Sequence, residues 1–425
     1  MNSKMYTEQL LDFIHESPTC YHTIANAAAL LEKNQYLPLS EKEEFALKEG
    51  GRYYLTRNDS SLIAFELPKC PMKAFALIAA HSDAPGFKVK EKPEIGVEDS
   101  YLVLNTEKYG GAILSTWLDR PLVLAGRVVI RTGQGLESRL VCLKDRPCII
   151  PNLAIHLNRE INKGVEYNAQ TELRPLFSGN KDLKLVQLLA RELKVEEETI
   201  LGTDLFVINP QKGMLMGAEE EFAGSPRLDD TQCVFAALQG FLQAECGERA
   251  KVYCVFDHEE VGSRTRQGAD SDFLALTLER IAAALGREKE YPMLLANSLL
   301  LSADNGHGLH PNYVSKSDPT NRPVLNGGIV IKYHGSQQYT TDAFTGAMVK
   351  DICIRENIPY QTYHNRSDIA GGSTLGNISI SHVSIPSADV GLAQLAMHSS
   401  FETGGAKDTE YMVRLARAFY EVENR

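Results

Sequence analysis

The sequence lacks the features that define several large classes of protein. Its eight cysteines are scattered along 425 residues without a CxxC pair, which argues against a disulfide framework and against a zinc site built from thiolates. The first residues contain no apolar core of signal-peptide length, and no apolar run approaches the length of a membrane span. We therefore expect a cytoplasmic protein with reduced thiols, in which histidine and carboxylate side chains hold any metal.

The sequence also has no excess of positive charge. Lysine and arginine number 44 against 55 aspartates and glutamates, which gives a formal net charge of -11. A field of this sign repels nucleic-acid backbones and anionic membranes, so we expect neither as a partner. The hydrophobic fraction of 43% is typical of a globular protein, and the chain is long enough for two or three domains.

The pattern of apolar segments predicts an α/β fold. Residues 74–80 form a continuous apolar run of strand length, which is typical of a central strand buried on both faces. Residues 251–256 form a second apolar strand, and residues 231–244 place apolar side chains at helical spacing. Two strand-like runs around Asn58-Asp59 predict a hairpin that turns at these residues.

The pattern of apolar and polar residues changes in the middle of the chain. From about residue 92 to 217 it contains short alternating segments separated by glycine-rich turns, with one helix predicted near 182–193. We therefore predict an α/β unit formed by residues 1–91 and 218–425, which is interrupted by a mainly β unit at 92–217.

Two adjacent glutamates follow one of the predicted strands. The apolar run from Val252 to Phe256 ends abruptly in Asp257-His258-Glu259-Glu260. Two carboxylates at the end of a buried strand repel each other and lose hydration unless a cation lies between them and a reacting group. Beyond the strand, one carboxylate can reach a metal ion while the other reaches the water that the metal activates. The alternative for an isolated pair is a solvated acidic turn.

Other metal-ligating side chains also stand at the ends of predicted elements. The candidates, which include the second glutamate of the pair, are His81, Asp229, Glu260, Asp304 and His398. Ligands in open α/β sheets bind outside the carboxyl ends of the strands. Two histidines and three carboxylates suit a pair of divalent ions with one bridging carboxylate, and Asp83 would accept the second imidazole N–H of His81. Taken singly, His81 could be structural, and the Asp229-Asp230 pair could provide a helix N-cap.

Six segments together carry a resemblance to a known family. They are His81-Ser82-Asp83-Ala84-Pro85-Gly86, Arg227-Leu228-Asp229-Asp230, His258-Glu259-Glu260-Val261-Gly262-Ser263, Ser302-Ala303-Asp304 with His310-Pro311-Asn312-Tyr313, and Gln394-Leu395-Ala396-Met397-His398-Ser399. In this combination the chain resembles the M18 family of zinc aminopeptidases, which includes aspartyl aminopeptidase. Related aminopeptidases share the His-x-Asp, Asp and Glu-Glu pattern but lack the His-Pro-Asn-Tyr and Ala-Met-His-Ser stretches.

The resemblance implies a fold and an assembly. The unit of residues 1–91 and 218–425 would be a zinc-exopeptidase-type catalytic domain with a central mixed sheet flanked by helices. The β-rich insert at 92–217 would serve in dimerisation and in building a tetrahedral dodecamer as the homo-oligomer. Each subunit would hold a pair of divalent metal ions, with zinc as the first choice and manganese or cobalt as alternatives.

The resemblance also implies a role for each candidate residue. Asp229 matches the bridging carboxylate, and the remaining metal ligands are matched by His81, Glu260, Asp304 and His398. Glu259 matches the general base, and Asp83 matches the partner of His81. His156, which is remote in sequence from the other motifs, matches a histidine that a neighbouring subunit supplies to the substrate site.

Three further residues are candidates for contacting the substrate. Lys332 could recognise the side chain or the carbonyl of the N-terminal residue, or it could be a solvated strand lysine. Asp368 could bind the free amine or pair with Arg366, and His310 belongs to a segment shared with the family. Gln338 stands where members specific for acidic residues are expected to have a basic residue, so a preference for aspartyl or glutamyl substrates stays open.

The predicted function is metal-assisted removal of the N-terminal residue from peptides, with Glu259 as the general base. One alternative is a related two-metal deacylase or carboxypeptidase, which would need a cationic group for a substrate carboxylate. Another is a non-catalytic assembly or cargo protein on the same fold. The presence of every ligand and of Glu259 argues against the non-catalytic alternative.

Overall fold

A computed structural model describes residues 3–422 of the chain. The helices are α1 (Ser3–Glu16), α2 (Cys20–Lys33), α3 (Leu185–Leu193), α4 (Leu228–Gln243), α5 (Phe273–Ala284), α6 (Tyr291–Ala296), α7 (Ala343–Arg355), α8 (Leu375–His382) and α9 (Asp408–Glu421). The strands of the first half of the chain are β1 (Leu37–Pro38), β2 (Arg52–Arg57), β3 (Ser61–Glu66), β4 (Ala74–His81), β5 (Gly86–Val97), β6 (Tyr101–Tyr109), β7 (Val123–Thr132), β8 (Gly135–Cys142), β9 (Leu176–Ser178) and β10 (Ile200–Ile208). The remaining strands are β11 (Met214–Met216), β12 (Phe222–Ser225), β13 (Arg249–Phe256), β14 (Leu299–Ala303), β15 (Gly306–His307), β16 (Ile329–Lys332), β17 (Tyr360–Tyr363), β18 (Ser387–Gly391), β19 (Ala393–Leu395) and β20 (Glu402–Gly405).

Three β-sheets organise these elements. The nine-stranded sheet has the order β1-β2-β3-β13-β4-β14-β18-β16-β17, the six-stranded sheet β8-β7-β10-β5-β6-β9 and the five-stranded sheet β11-β12-β20-β19-β15. In the nine-stranded sheet, β4 pairs in parallel with β13 and β14, whereas β3 and β16 pair antiparallel with β13 and β18. The structure therefore confirms the predicted α/β class with a central mixed sheet.

The centre of the large sheet is β4, which contains the predicted apolar run at 74–80. All of its residues from Ala74 to His81 are buried. Ala76 and Ile78 belong to an apolar core that includes residues of α1, α4, α7 and α9, whereas Phe75 and Leu77 belong to a second core with residues of α5 and α8. Neighbouring side chains of a strand point to opposite faces, so a strand covered on both sides is apolar throughout.

The predicted hairpin at Asn58-Asp59 is confirmed. β2 and β3 pair antiparallel, and the turn between them holds Asn58 at φ 58° and Asp59 at φ 56°. Asparagine and aspartate tolerate this left-handed backbone region better than most residues do. The local sequence therefore determines both the position and the shape of this turn.

The six-stranded sheet is formed by β5 to β10 and has a core of its own, which includes Phe87, Trp117 and Leu205. The helix predicted near 182–193 is α3. The predicted boundary at residue 92 falls inside β5, so the sheet starts upstream of that boundary, at Gly86. The long strand β5 joins the end of β4 to this second sheet within a few residues. The division of the chain into two domains stays a prediction.

A crossing between two sheets brings the C-terminal part of the chain to the end of β14. β18 lies in the nine-stranded sheet and β19 in the five-stranded sheet, with the buried Leu392 between them. The backbone at Gly391 approaches Asp304 so closely that a Cβ there would lie 1.8 Å from the Asp304 carbonyl oxygen. Only glycine, which has no Cβ, can occupy this position. From here the chain continues towards His398.

Two further observations concern the cysteines and the helices. All eight cysteines are free thiols. Across residues 3–422, every helix is too short or too polar to cross a membrane.

Candidate metal centre and active site

The predicted metal ligands meet at one edge of the central sheet. His81 is the last residue of β4 and lies opposite Phe256, the last residue of the parallel strand β13. The neighbouring parallel strand β14 ends directly before Asp304. Since carboxyl ends of parallel strands lie at the same edge of a sheet, the three strands deliver the residues that follow them to a shared position.

Two groups of donor atoms share Asp229. Donor atoms of His81, Asp229 and Asp304 lie within 4.8 Å of one another, and so do those of Asp229, Glu260 and His398. Oδ1 of Asp229 lies 3.6 Å from Nε2 of His81, and Oδ2 lies 3.6 Å from Nε2 of His398. The two oxygens of one carboxylate therefore face different histidines, as a bridging ligand requires. The structure brings the five predicted ligands together, and their binding of metal stays a prediction.

The Asp229-Asp230 pair stands at the start of α4, where both residues have non-helical backbone angles and are joined by a cis peptide bond. The main-chain N–H of Asp229 donates to Glu402 at 3.0 Å. Asp230 Oδ2 accepts the main-chain N–H of His81 at 3.2 Å. The N-cap alternative is therefore wrong for Asp230, because within residues 3–422 its carboxylate accepts the main-chain N–H of His81 and no main-chain N–H of the helix.

The electrostatics of this cluster favour the binding of a cation. Burial, with the neighbouring carboxylates, raises the pKa of Glu259 to about 8 and that of Asp304 to about 6, and raises the pKa of Glu260 well above its usual range. Burial alone would lower the pKa of His81, but the carboxylates of Asp229 and Asp83 beside its two ring nitrogens raise that pKa well above the ordinary value. The raised pKa values mean that these carboxyl groups tend to bind protons. A bound cation could neutralise the carboxylates in place of those protons.

The donor atoms fit a divalent cation. Asp229 Oδ1 and Glu260 Oε1 are buried and have no hydrogen-bond partner within residues 3–422. A buried carboxylate oxygen without a partner is costly, unless it binds a metal ion. Imidazole nitrogens and carboxylate oxygens are common ligands of zinc in catalytic sites.

Asp83 holds the turn that carries the two glutamates. Its carboxylate accepts the main-chain N–H groups of Glu259 at 3.1 Å and Glu260 at 3.2 Å, and the hydroxyl of Tyr109 donates to it at 2.7 Å. Nδ1 of His81 lies 3.1 Å from the Asp83 carbonyl and 3.4 Å from its carboxylate. The shorter contact of His81 is thus with the main chain, whereas the prediction named only the carboxylate. Asp83 positions both the histidine and the glutamate turn.

Several residues that support the site had no signal in the sequence. Glu402 on β20 is buried and accepts the main-chain N–H of His398 at 2.7 Å, in addition to that of Asp229. Burial raises the pKa of Glu402 to about 8. The carbonyl of Gly111 lies 3.2 Å from Nδ1 of His398, and a Cβ at Gly110 (φ +67) would lie 3.2 Å from the Cβ of Glu260. The segment after β6 therefore contributes main-chain atoms to the site.

Of the predicted substrate contacts, Lys332 lies beside a metal-ligand candidate, and His310 lines an open cleft. The Nζ of Lys332 donates to the Asn305 carbonyl at 2.8 Å and lies 3.6 Å from Asp304 Oδ1. Lys332 is only 2% exposed, so the alternative of a solvated strand lysine is wrong. His310 lies in an open cleft, with its ring centroid 4.9 Å from that of Tyr313.

Asp368 pairs with Arg366, which is the second of the two roles considered for it. Oδ1 and Oδ2 of Asp368 accept from Nε and Nη2 of Arg366 at 2.8 and 2.7 Å. This pairing lowers the pKa of Asp368 to about 2. Both carboxylate oxygens accept from Arg366, and a role of Asp368 in binding a substrate amine stays a prediction.

His156 is not brought to the site of its own chain. It is exposed on the segment between β8 and β9, and none of the hydrogen bonds and ion pairs within residues 3–422 joins it to a metal-ligand candidate. Its neighbours Leu153, Ile155 and Leu157 are 56%, 48% and 74% exposed. The segment therefore presents apolar side chains at its surface.

The comparisons with known proteins agree on one family. A family model described as "Aminopeptidase I zinc metalloprotease (M18)" matches residues 13–420. A protein of Clostridium novyi named probable M18 family aminopeptidase 2 is 42% identical, over 99% of this chain and 100% of that protein.

Solved structures show the same similarity. The structure of the Ape4 and Nbr1 complex contains a chain with a TM-score of 0.95 and 35% identity, over 99% of this chain and 86% of that one. The mApe1 dodecamer of S. cerevisiae matches with a TM-score of 0.86 and 28% identity, over 99% of this chain and 97% of that one.

Proposed function

This chain belongs to the M18 family and is a metal-dependent aminopeptidase, and we propose that two divalent ions, zinc in the first place, act together in its reaction. The observation that carries this proposal is the position of Asp229, whose two oxygens face His81 and His398 separately. We assign one ion to His81, Asp229 and Asp304. We assign the other ion to Asp229, Glu260 and His398, which leaves Glu259 for proton transfer.

The residues around the metal ligands would divide the work as follows. When bound, the ions would polarise the scissile carbonyl and lower the pKa of a water molecule. Glu259 would take the proton of that water and return it to the leaving amine. Its side chain has donor atoms within 4.8 Å of those of His81 and Glu260, and its main chain is held by Asp83. Asp83 is in turn oriented by the hydroxyl of Tyr109.

The side chain accepted at the N-terminus of the substrate depends on the surroundings of Asp304. Lys332 supplies a buried positive charge there, with the ring centroid of Tyr339 5.5 Å from its Nζ. A carboxylate of the substrate could bind this charge only in competition with Asp304. Gln338 adds no positive charge at the position where a base is expected in acidic-specific members. A preference for acidic N-terminal residues thus rests on Lys332 alone.

The reaction class is tested with metal-depleted protein that is reloaded with zinc, manganese or cobalt. We expect reloaded protein to release the N-terminal residue from peptides and aminoacyl amides, and chelation to abolish this activity. N-acetylation of the same peptides should prevent cleavage, because an aminopeptidase binds the free amine. Release of C-terminal residues or of the acyl group would support the deacylase or carboxypeptidase alternative instead. Aspartyl, glutamyl and neutral amides in the same panel measure the N-terminal preference.

The proposal includes a homo-oligomer in which the β-rich insert joins subunits. One of the solved structures similar to this chain is a dodecamer of mApe1. We propose that this chain also forms a dodecamer, with tetrahedral symmetry. The exposed apolar residues around His156 support this extension, because a patch of this kind is typical of a surface that another subunit covers. His156 would then complete the substrate site of the neighbouring subunit.

Mixing two inactive variants tests this role of His156. Subunits carrying His156→Ala are exchanged with subunits carrying Glu259→Gln. In a mixed pair, the site with intact Glu259 receives intact His156 from its neighbour, while the other site receives both lesions. We expect activity to reappear in the mixture, measured as hydrolysis of an aminoacyl amide after subunit exchange.

The control for this experiment is a mixture of Glu259→Gln subunits with Asp229→Ala subunits, because both lesions lie in the same site of the same chain. That mixture should stay inactive. If His156 acts within its own subunit, both mixtures stay inactive. A fully active isolated monomer would also contradict the proposal.

A further inference from the structure

An open cleft with a volume of about 490 Å³ lies beside the metal-ligand candidates. Its lining includes His307 on β15 and Gln394 on β19, which are paired in parallel. β15 follows Asp304, and β19 leads to Met397, another lining residue, and then to His398. The strands below the cleft are therefore continuous with the segments that carry two of the proposed metal ligands.

The cleft is positively charged in a protein whose formal net charge is -11. Three cations line it, namely Lys316, Arg322 and Arg366. Arg366 is paired with Asp368. Lys316 and Arg322 are exposed, and within residues 3–422 neither side chain has an ion pair.

Only one acidic side chain opposes these cations in the lining of the cleft, as far as residues 3–422 are concerned. This is Asp318, whose Oδ1 accepts the main-chain N–H groups of Thr320 and Asn321 at 3.0 and 2.7 Å. The hydrogen bonds of these two residues lower the pKa of Asp318 to about 2. With Asp318 and Asp368 both ionised, one positive charge of the three still has no counterpart.

We infer that this cleft binds a carboxylate in the part of the peptide that lies beyond the scissile bond. The inference rests on the proposed aminopeptidase function and deepens it by adding a preference at the second or third residue. An aminopeptidase encloses the N-terminal residue, whereas the rest of the peptide must leave the site through an open channel. The cleft is open to solvent, borders the ligands and carries unpaired cations, which suit a carboxylate.

The carboxylate can come from two sources, and two pairs of peptides separate them. In the first pair, the second residue is glutamate or glutamine in a peptide with an amidated C-terminus. In the second pair, a dipeptide ends in a free carboxylate or in an amide. All peptides carry the same N-terminal residue, chosen as the one that the wild-type protein releases fastest. We expect kcat/KM to be roughly fivefold higher for the charged member of at least one pair, as an exposed ion pair can supply.

The two unpaired cations are then removed in the holoenzyme. In the double variant Lys316→Gln/Arg322→Gln, the ratio of kcat/KM between charged and neutral peptides should approach one. The matched control is Lys73→Gln, since Lys73 precedes β4 at the end opposite to His81 and is 57% exposed beside Glu248. This control should keep the wild-type ratio. Added salt should lower the ratio in the wild type, because exposed charges are screened.

The outcomes separate this inference from the proposed function. Turnover of neutral peptides without any preference for a carboxylate in either pair would overturn the inference and leave the aminopeptidase function intact. A second result would also overturn the inference. If the double variant lost the discrimination between aspartyl and asparaginyl N-termini but kept that at the second residue, the cleft would hold the N-terminal side chain. Failure of the wild type to release the N-terminal residue from any peptide would instead count against the proposed function itself.

Discussion

Replacement of Glu259 by glutamine is expected to lower kcat by roughly 10²- to 10⁴-fold, the range in which general acid–base catalysis contributes. Glutamine preserves the shape of the side chain, but its amide cannot accept the proton of the attacking water. The main-chain N–H of residue 259 still donates to Asp83, so the turn keeps its position. Both metal ions should remain bound, which atomic emission spectroscopy of the dialysed variant measures together with kcat.

The control for this variant is Glu220→Gln, which changes the net charge equally. Glu220 is exposed and pairs with Lys4, so its replacement should leave kcat unchanged. The alternative is that Glu259 is itself a metal ligand, since its donor atom lies near those of His81 and Glu260. In that case the Glu259→Gln protein would lose metal. A Glu259→Gln protein with full activity would exclude Glu259 as the general base.

Replacement of Asp229 by alanine is expected to have the opposite pattern, in which bound metal is lost together with activity. One carboxylate faces both histidines, so its removal takes a ligand from each proposed ion at once. His81 and Asp304 would then remain for the first ion, and Glu260 and His398 for the second. Metal content after dialysis should fall well below that of the wild type, with activity at background.

A buried aspartate outside the site provides the matched control for Asp229→Ala. Asp408 is buried and accepts the main-chain N–H groups of Asn326 and Gly328 at 2.7 and 3.0 Å. Asp408→Ala should lower the free energy of unfolding by roughly 1–3 kcal/mol for each N–H left without a partner, while metal content stays as in the wild type. Equal metal loss in Asp229→Ala and Glu259→Gln would contradict the division of roles between these residues.

The candidate ligands were accessible to sequence reasoning because each stands next to a pattern that is local. His81 and Asp304 directly end or follow buried apolar runs, and the glutamate pair follows a third. Apolar runs of strand length predict where a buried strand stops, and the chemistry of the next residue then indicates its use. The predicted class of fold was confirmed for the same reason.

The residues that support the ligands could not be found in this way. Glu402 contacts Asp229 across 173 positions of sequence, and Gly111 contacts His398 across 287. Neither residue lies in a pattern that distinguishes it from other acidic or glycine residues of the chain. Their roles follow from the packing of separate sheets, which brings β20 and the segment after β6 to the edge where β4 ends.

The structure shows the contacts of two charged residues for which the sequence left two roles open. Lys332 lies on a strand and could have been solvated, but the structure buries it between Asn305, Asp304 and Tyr339. Both oxygens of Asp368 accept from Arg366, which is the second of the two roles considered for it. Residue type and spacing are the same in both alternatives, so only the positions of the neighbours distinguish them.

The sequence by itself determined the secondary-structure elements around the site, the class of the fold and the types of side chain available to hold metal. These depend on periodicity and residue chemistry over short stretches, where the side chains are neighbours in the chain. The tertiary structure alone decided that Asp229 lies between two histidines, that Asp83 holds the glutamate turn, and that an open basic cleft borders the site. Those distances depend on the order of strands in three sheets, which arises from long-range packing that no short stretch of sequence specifies.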